Sequence, residues 1–277
     1  MTTHTTTPTI PPVASGGVRW AVPDAWTMTR RNLAHWLRQP AQVLIGLLFP
    51  VMTVLLFGFL FGGGMTVPGG GDYRTFLVPG MFAMTMLFGL ETTFAAVTTD
   101  AARGVTDRFR SLPMAPSAVV TGRAVADMLY AAAGLTVMVG AGLAIGWRWE
   151  GGFARALAAF GLLLLLRFAL LWVGIFLALV VRSPGLLIAI QILVWPVGFI
   201  SNAFAAPATM PGWLGTLAAW NPLSSTVAAT RALFGNPVGG GGSWIEQHAV
   251  AMAVVWPLLL VAVFFPLAVR RYRRLDG

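Results

Sequence analysis

Apolar residues fall along this chain in six long blocks, each closed by a short polar or breaker-rich stretch. The blocks run over about 41–61, 77–99, 124–146, 157–181, 186–206 and 247–269. A helix rising 1.5 Å per residue needs about 20 apolar residues to cross about 30 Å of hydrocarbon, and each block meets that length. The narrowest division lies between the fourth and fifth blocks, at "VRSPG". There Arg182 supplies a charge and Ser183-Pro184-Gly185 break the helix. Fusing these blocks would make one helix of implausible length, so six spans is the better reading. The fold class expected is all-α integral membrane.

Composition agrees with that pattern. Of 277 residues, 57% are hydrophobic and only 10% are charged. A soluble domain carries about 25% charged residues to cover its core. The leading stretch "MTTHTTTPTIPPVASGGV" has neither a basic start nor an apolar run, so it does not read as a cleavable signal. Residues 1–20 are expected to form a flexible tail and residues 21–277 a single six-span domain.

The arginines fix an orientation. With both termini in the cytoplasm, inner segments hold 13 of the 18, including Arg103, Arg108, Arg110, Arg123 and the cluster at 270–274. Outer loops hold only Arg74, Arg148, Arg155 and Arg231, and Arg167 falls inside a span. This excess is the positive-inside signal. It accounts for the net charge of +9 without nucleic acid as a partner.

On that topology "RGVTDRFRSLPMAPSAVVTGR", residues 103–123, is the largest cytoplasmic loop. A short helix through "TDAARGVTDRFRSL" carries Phe109 and Leu112 on one side, and Pro113 and Pro116 stop it. Topology alone needs only the arginines. A helix stopped by two prolines suggests a docking surface. Before the first span, "AWTMTRRNLAHWLRQP" sets Trp26, Leu33, Trp36 and Leu37 along one helical side with Arg30, Arg31 and Arg38 around it. That pattern fits a helix lying in the headgroup plane, held there as an anchor or against a partner.

Three charges fall within spans. Glu91, Asp127 and Arg167 each cost at least about 2.5–3.5 kcal/mol at mid-bilayer unless they face protein or water. Counted from the outer ends of spans two and four, Glu91 and Arg167 differ in depth by about 6 Å, which long side chains can bridge. A Glu91–Arg167 pair is therefore open, as a clamp between helices or as a polar point on a substrate path. Asp127, near the inner end of span three, is expected to snorkel or to cap against Arg123. Between 196 and 246, Pro196, Pro207, Pro211 and Pro222 interrupt an apolar stretch with Trp195, Trp213 and Trp220. Irregular backbone at membrane depth survives only where protein or water satisfies it. The expectation is a broken outer end to span five, a re-entrant or interfacial helix near 212–220 and a surface helix near 223–234. The outer cap residues would be Trp213, Asn221 and Pro222.

Several chemistries are excluded. There is no lysine, so the chain holds no P-loop. There is no cysteine, and His4, His35 and His248 are scattered, so no metal site or catalytic constellation is expected. An ion-coupled transporter or channel is the competing class, although coupling usually needs more intramembrane carboxylates.

Four stretches together resemble the permease subunits of type-2 ABC exporters, in the daunorubicin-resistance-like branch. They are "MTRRNLAHWLRQP" with the following apolar run, "FLVPGMFAMTM", "RGVTDRFRSLPMAPSAVVTGRAVADML" and "WNPLSSTVAATRALFGN". The resemblance implies a bacterial plasma-membrane protein that works as a dimer of permease subunits, homo- or heteromeric, above two ATP-binding cassette subunits. ATP and Mg would be bound by those partners and no cofactor by this chain. It implies coupling through Arg103, Asp107, Arg108, Phe109, Arg110, Leu112, Pro113 and Met114. The cargo implied is a hydrophobic or amphipathic drug, natural product or lipid.

Overall fold

A computed structural model of the chain describes residues 26, 29–30, 40–60, 62, 64, 67, 70–102, 116–181, 184–239 and 242–274. These residues are helical or connect helices, and no strand occurs among them. The helices are α1 (Pro40–Leu60), α2 (Tyr73–Ala102), α3 (Pro116–Ala144), α4 (Phe153–Val180), α5 (Pro184–Phe199), α6 (Gly212–Trp220), α7 (Pro222–Phe234), α8 (Trp244–Gln247) and α9 (Ala249–Arg274). Four of them, α2, α3, α4 and α9, are long and apolar enough to cross a membrane. The break read at "VRSPG" falls where α4 ends at Val180 and α5 begins at Pro184.

α4 is the centre of the bundle. It packs along α2 on one side and α9 on another, and also meets α3 and α7. Its buried face, Leu163, Leu166, Leu170 and Leu171 among others, repeats at helical spacing. α1 packs on α2 and α3, and α5 on α2. The outward faces of α1, α5 and α9 stay apolar, with Phe59, Ile192 and Leu258 among their exposed side chains. Exposed apolar stripes on three helices are what lipid requires and water forbids. Prolines stand inside α1, α2, α5 and α9. Such breaks are tolerated in membrane helices because neighbouring groups take up the freed backbone atoms.

The helices gather two chemically distinct ends. One end is basic and carries Arg30, Arg123, Arg270 and Arg271. The other is a cap built from α6, α7, α8 and the segment after α5. There α5 stops at Phe199, and Asn221 meets its exposed end. The Asn221 amide donates to the Val197 carbonyl at 2.7 Å and to the Ile200 carbonyl, while its Oδ1 accepts from the Leu223 backbone at 2.9 Å. One side chain thus closes the C-terminus of α5 and caps the N-terminus of α7, with Pro222 at its first position.

α7 corrects an expectation. The segment 223–234 is expected to be a surface helix, and it carries Ser224, Ser225, Thr226, Thr230 and Arg231. In the structure all five are buried, and α7 lies against α2, α4 and α9. The cause is Arg231. Its Nε donates to the Phe76 carbonyl at 2.8 Å and its Nη2 to the Ala203 carbonyl at 3.0 Å, and the guanidinium sits 3.4 Å over the Phe76 ring. Gly80 allows this closeness, since a Cβ there would lie 2.4 Å from the Ala203 carbonyl oxygen. The α3–α4 turn is stitched to the same region. The Glu150 and Gly151 amides donate to the Phe234 carbonyl, and the Trp147 indole donates to Asn236 Oδ1 at 2.8 Å.

Asn221→Ala removes three hydrogen bonds at this junction. It is expected to cost about 2 kcal/mol, read as a lower Tm of the purified chain in detergent. An unchanged Tm would show that these backbone groups find other partners.

Candidate coupling site on α2, α3 and α4

The polar residues nearest the α2–α3 connection form a ladder that climbs into the bundle. The α2 rungs are Asp100 and, two turns deeper, Thr93. The α3 rungs are Arg123 and, one turn deeper, Asp127. The spacings of seven and four residues keep each pair on one helical face. Arg167, midway along α4, is the last member.

Asp100 and Arg123 form an ion pair across the two ends of the 103–115 segment. Both side chains are partly open, so the pair contributes little to stability, about 1 kcal/mol at most. The deeper contact differs. Arg167 Nη2 donates to Thr93 Oγ1 at 2.7 Å, and Thr93 Oγ1 donates to Asp127 Oδ2 at 2.8 Å. Arg167 and Asp127 also approach directly, at 3.6 Å, with Arg167 only 1% exposed. The threonine hydroxyl relays between a cation and an anion, accepting from one and donating to the other. Thr29, from the chain before α1, reaches the same end of α3, its Oγ1 donating to the Gly122 carbonyl at 3.1 Å.

Gly89 makes the deep site sterically possible. A Cβ at this position would stand 2.5 Å from Arg167 Nε and 2.8 Å from Cζ. The guanidinium therefore lies against bare backbone of α2. Gly89 and Thr93 are four apart and form a small-residue surface of the kind that lets membrane helices close. Two turns further along α4, a Cβ at Gly174 would lie 3.0 Å from the Leu90 carbonyl oxygen.

Two sequence expectations are corrected here. Glu91 does not pair with Arg167. It lies two residues from both Gly89 and Thr93, about 200° round the helix at 3.6 residues per turn, and so faces away from α4. Its Oε1 is buried without a hydrogen-bond partner. Asp127 neither snorkels nor caps Arg123, which pairs with Asp100 instead. The hydropathy boundary at 124 placed Asp127 at the membrane edge, but α3 begins at Pro116, three turns before it. Depth measured from the true helix start sets Asp127 level with Thr93 and Arg167. Thr93 and Gly89 were missed as site residues. The signal for them was "GLETT", a glycine and a threonine four apart on a helix that also carries an acid.

The remaining expected site residues divide in two. Trp26 and Arg30 are helical and exposed, while Arg31 and Trp36 lie outside the described residues. Arg103, Asp107, Arg108, Phe109, Arg110, Leu112, Pro113 and Met114 also lie outside them, although the Asp100–Arg123 pair brackets their segment. Trp213 is exposed at the cap, and Asn221 and Pro222 form the junction given above. Among the described residues no three His, Asp or Glu side chains gather as a metal site would require.

The arrangement is one of packed apolar helices, with polar contacts running from Asp100 and Arg123 to a buried centre at Arg167. It defines a multi-pass membrane protein. The ABC-2 type transporter family model matches residues 23–234. The daunorubicin resistance ABC transporter permease protein DrrB1 of Streptomyces coeruleorubidus is 32% identical over 254 residues, covering 91% of this chain and 87% of that protein. A probable doxorubicin resistance ABC transporter permease protein, DrrC of Mycobacterium tuberculosis, is 23% identical over 83% of this chain and 84% of its own length. A putative transport permease of Pyropia yezoensis, ycf38, is 28% identical over 75% and 72%. The chain belongs to the ABC-2 type transporter family, as a permease.

Asp127→Ala leaves the Arg167 cation buried without its counter-charge and is expected to cost about 3–5 kcal/mol. Adding Arg167→Met should recover most of that loss. Arg123→Ala should cost less than about 1 kcal/mol. Chemical unfolding of the three variants in detergent checks the ordering. Equal losses for Asp127→Ala and Arg123→Ala would show that the deep pair is not desolvated. In the same assay Gly89→Ala should lower Tm by displacing the guanidinium.

Proposed function

We propose that this chain is the transmembrane subunit of an ATP-driven exporter that moves a hydrophobic or amphipathic compound, such as a drug, natural product or lipid, out of the cytoplasm or inner leaflet. The observation that carries this reading is the polar ladder that starts at both ends of the 103–115 segment and ends on Arg167. A partner pressing on that segment would move Asp100 and Arg123 first. Asp127, one turn above Arg123, would then carry the displacement to Thr93 and Arg167, and so to the central helix. Energy supplied outside the bundle enters through such a path, and the family supplies the kind of partner, an ATP-binding cassette subunit holding ATP and Mg.

In this reading the chain has six spans, α1, α2, α3, α4, α5 and α9, and both termini face the cytoplasm. The 21 residues of α1 give about 31 Å, enough to cross. The 16 residues of α5 give about 24 Å, and the segment held by Asn221 and Arg231 completes the crossing. The basic end faces the cytoplasm, as positive-inside asymmetry demands. A second permease subunit lies beside this one in the membrane, and cargo passes between the two. The relatives named for daunorubicin and doxorubicin resistance support an apolar or amphipathic cargo and a bacterial plasma-membrane location. The exposed apolar faces of α1 and α5 suit both a subunit contact and such a cargo.

The test is purification from the native host in mild detergent. A subunit carrying a P-loop is expected to accompany the chain, and its recovery should fall at least about tenfold when Phe109 and Arg110 are both changed to alanine. Arg270→Ala, also at the basic end, should leave recovery unchanged. Reconstituted with that subunit, the chain should export a hydrophobic dye only with hydrolysable ATP. Transport that stops when a proton gradient is dissipated at constant ATP would overturn the proposal in favour of an ion-coupled transporter.

A further inference from the structure

The cap contains a second polar centre that the coupling site does not use. α7 buries five polar side chains, and most have protein partners. Ser224 Oγ accepts from the Asn202 backbone at 3.0 Å, Thr230 donates to the Val227 carbonyl at 2.9 Å, and Arg231 is held as described above. Three atoms are left over, one of them Arg231 Nη1. Asn202 Oδ1 and Ser225 Oγ are buried without a hydrogen-bond partner, each on a residue 3% exposed. Both residues line one small cavity of about 10 Å³, which Glu246 of α8 also lines, its Oε2 already accepting from the Ser243 amide and hydroxyl.

The chemistry of the lining restricts the guest. Asn Oδ1 and a carboxylate only accept, and a serine hydroxyl donates one proton or accepts. A guest that donates twice and accepts once fits this set. Leaving two polar atoms buried and unpaired at one place costs about 1–3 kcal/mol each. Native interiors relieve that cost with water where the space is polar and about one water-sized sphere, roughly 10–15 Å³, is available. This cavity is of the size that holds one water.

We propose that this cavity is a built water site. An ordered water donates to Asn202 Oδ1 and to the Glu246 carboxylate and accepts from Ser225 Oγ. The site joins the segment after α5, α7 and α8, beside α6, and the rest of its lining, with Ala219, Ala228 and Ile245, is largely apolar. The joint between the cap and α8 is therefore wet. Parting α8 from α7 exchanges a bridging water for bulk water, which costs far less than breaking direct bonds in a dry contact. The cap can move against α8 at this line while Asn221 and Arg231 hold it to α5 and α2.

The sign of one stability change decides between a hydrated and a dry cavity. In a hydrated site Ser225→Ala loses a satisfied hydrogen bond, and Tm of the full chain in detergent should fall by about 2–4 °C. Ser225→Val, which also displaces the water, should lower it further. A dry cavity predicts the reverse, because removing an unpaired hydroxyl and filling the space both stabilise. A rise or no change with these two variants overturns the proposal. Ser224→Ala, which takes the partner from the Asn202 backbone, should lower Tm in either case and shows that the assay responds. Tm should be the same in sodium chloride and choline chloride. A sodium-specific rise that Glu246→Gln abolishes would mean that a cation occupies the site, and would overturn the water assignment.

Discussion

Arg167 is the constraint around which the bundle is arranged. A guanidinium at the middle of an apolar helix cannot be left to lipid, and in this position it lies too deep to reach water by bending. Burying it requires a counter-charge, a hydrogen-bond acceptor and room for a planar group, all at one depth. The structure meets these needs from three helices: Asp127 on α3, and Thr93 and Gly89 on α2. Once those are set, α2, α3 and α4 are fixed in rotation and in height against one another. The apolar clusters on either side, around Leu163 and Leu166 and around Leu171 and Trp172, then pack at whatever register the polar centre dictates.

The cap obeys the same rule in a different currency. α5 stops short of a full crossing, which exposes carbonyls where lipid offers no donors. Asn221 and Arg231 supply the missing donors, and a third of α7 is polar because it must face that broken end. This is why Ser224, Ser225, Thr226 and Thr230, on a helix expected at the surface, are interior. Their polarity answers backbone and side-chain groups inside the protein, and no bulk water lies beyond them. Asn202 and Ser225, two of the residues with an atom left unmatched after that answering, mark the proposed water site.

The long apolar blocks were fully legible in the sequence, and their helices begin and end within a few residues of the pattern, except α3 and α5. Hydropathy alone placed the start of α3 eight residues late, because Pro116, Ser117, Thr121, Gly122 and Arg123 are too polar to count as membrane. That offset, small in sequence, put Asp127 at the interface and hid its pairing with Arg167. Pairing Glu91 with Arg167 failed for another reason. Depth can be counted along a chain, but the direction a side chain faces depends on which neighbour each helix chooses, and Glu91 lies opposite the α4 face of α2. Thr93 was invisible because a threonine in a span is common, and only the presence of both charges makes it a relay.

A push at the 103–115 segment matters only if it reaches the cap. α4 provides the connection. It is 28 residues long, about 42 Å, carries no internal proline and so resists bending. Its middle holds Arg167, and nearer its start Leu162 packs with Ala229 of α7 and Ala253 of α9. A shift of Asp127 that drags Arg167 must therefore tilt or slide α4 as a body, and α7 feels it directly. The cap has one face pinned by Asn221 and Arg231 and one face against α8 that yields. Motion delivered to α7 would be taken up on the yielding side. Coupling of this kind needs two states that differ in contact energy, since a lever with one resting place transmits nothing. The two sites can supply that difference, because the charge pair at the centre is expensive to break and the joint at the cap is cheap to open.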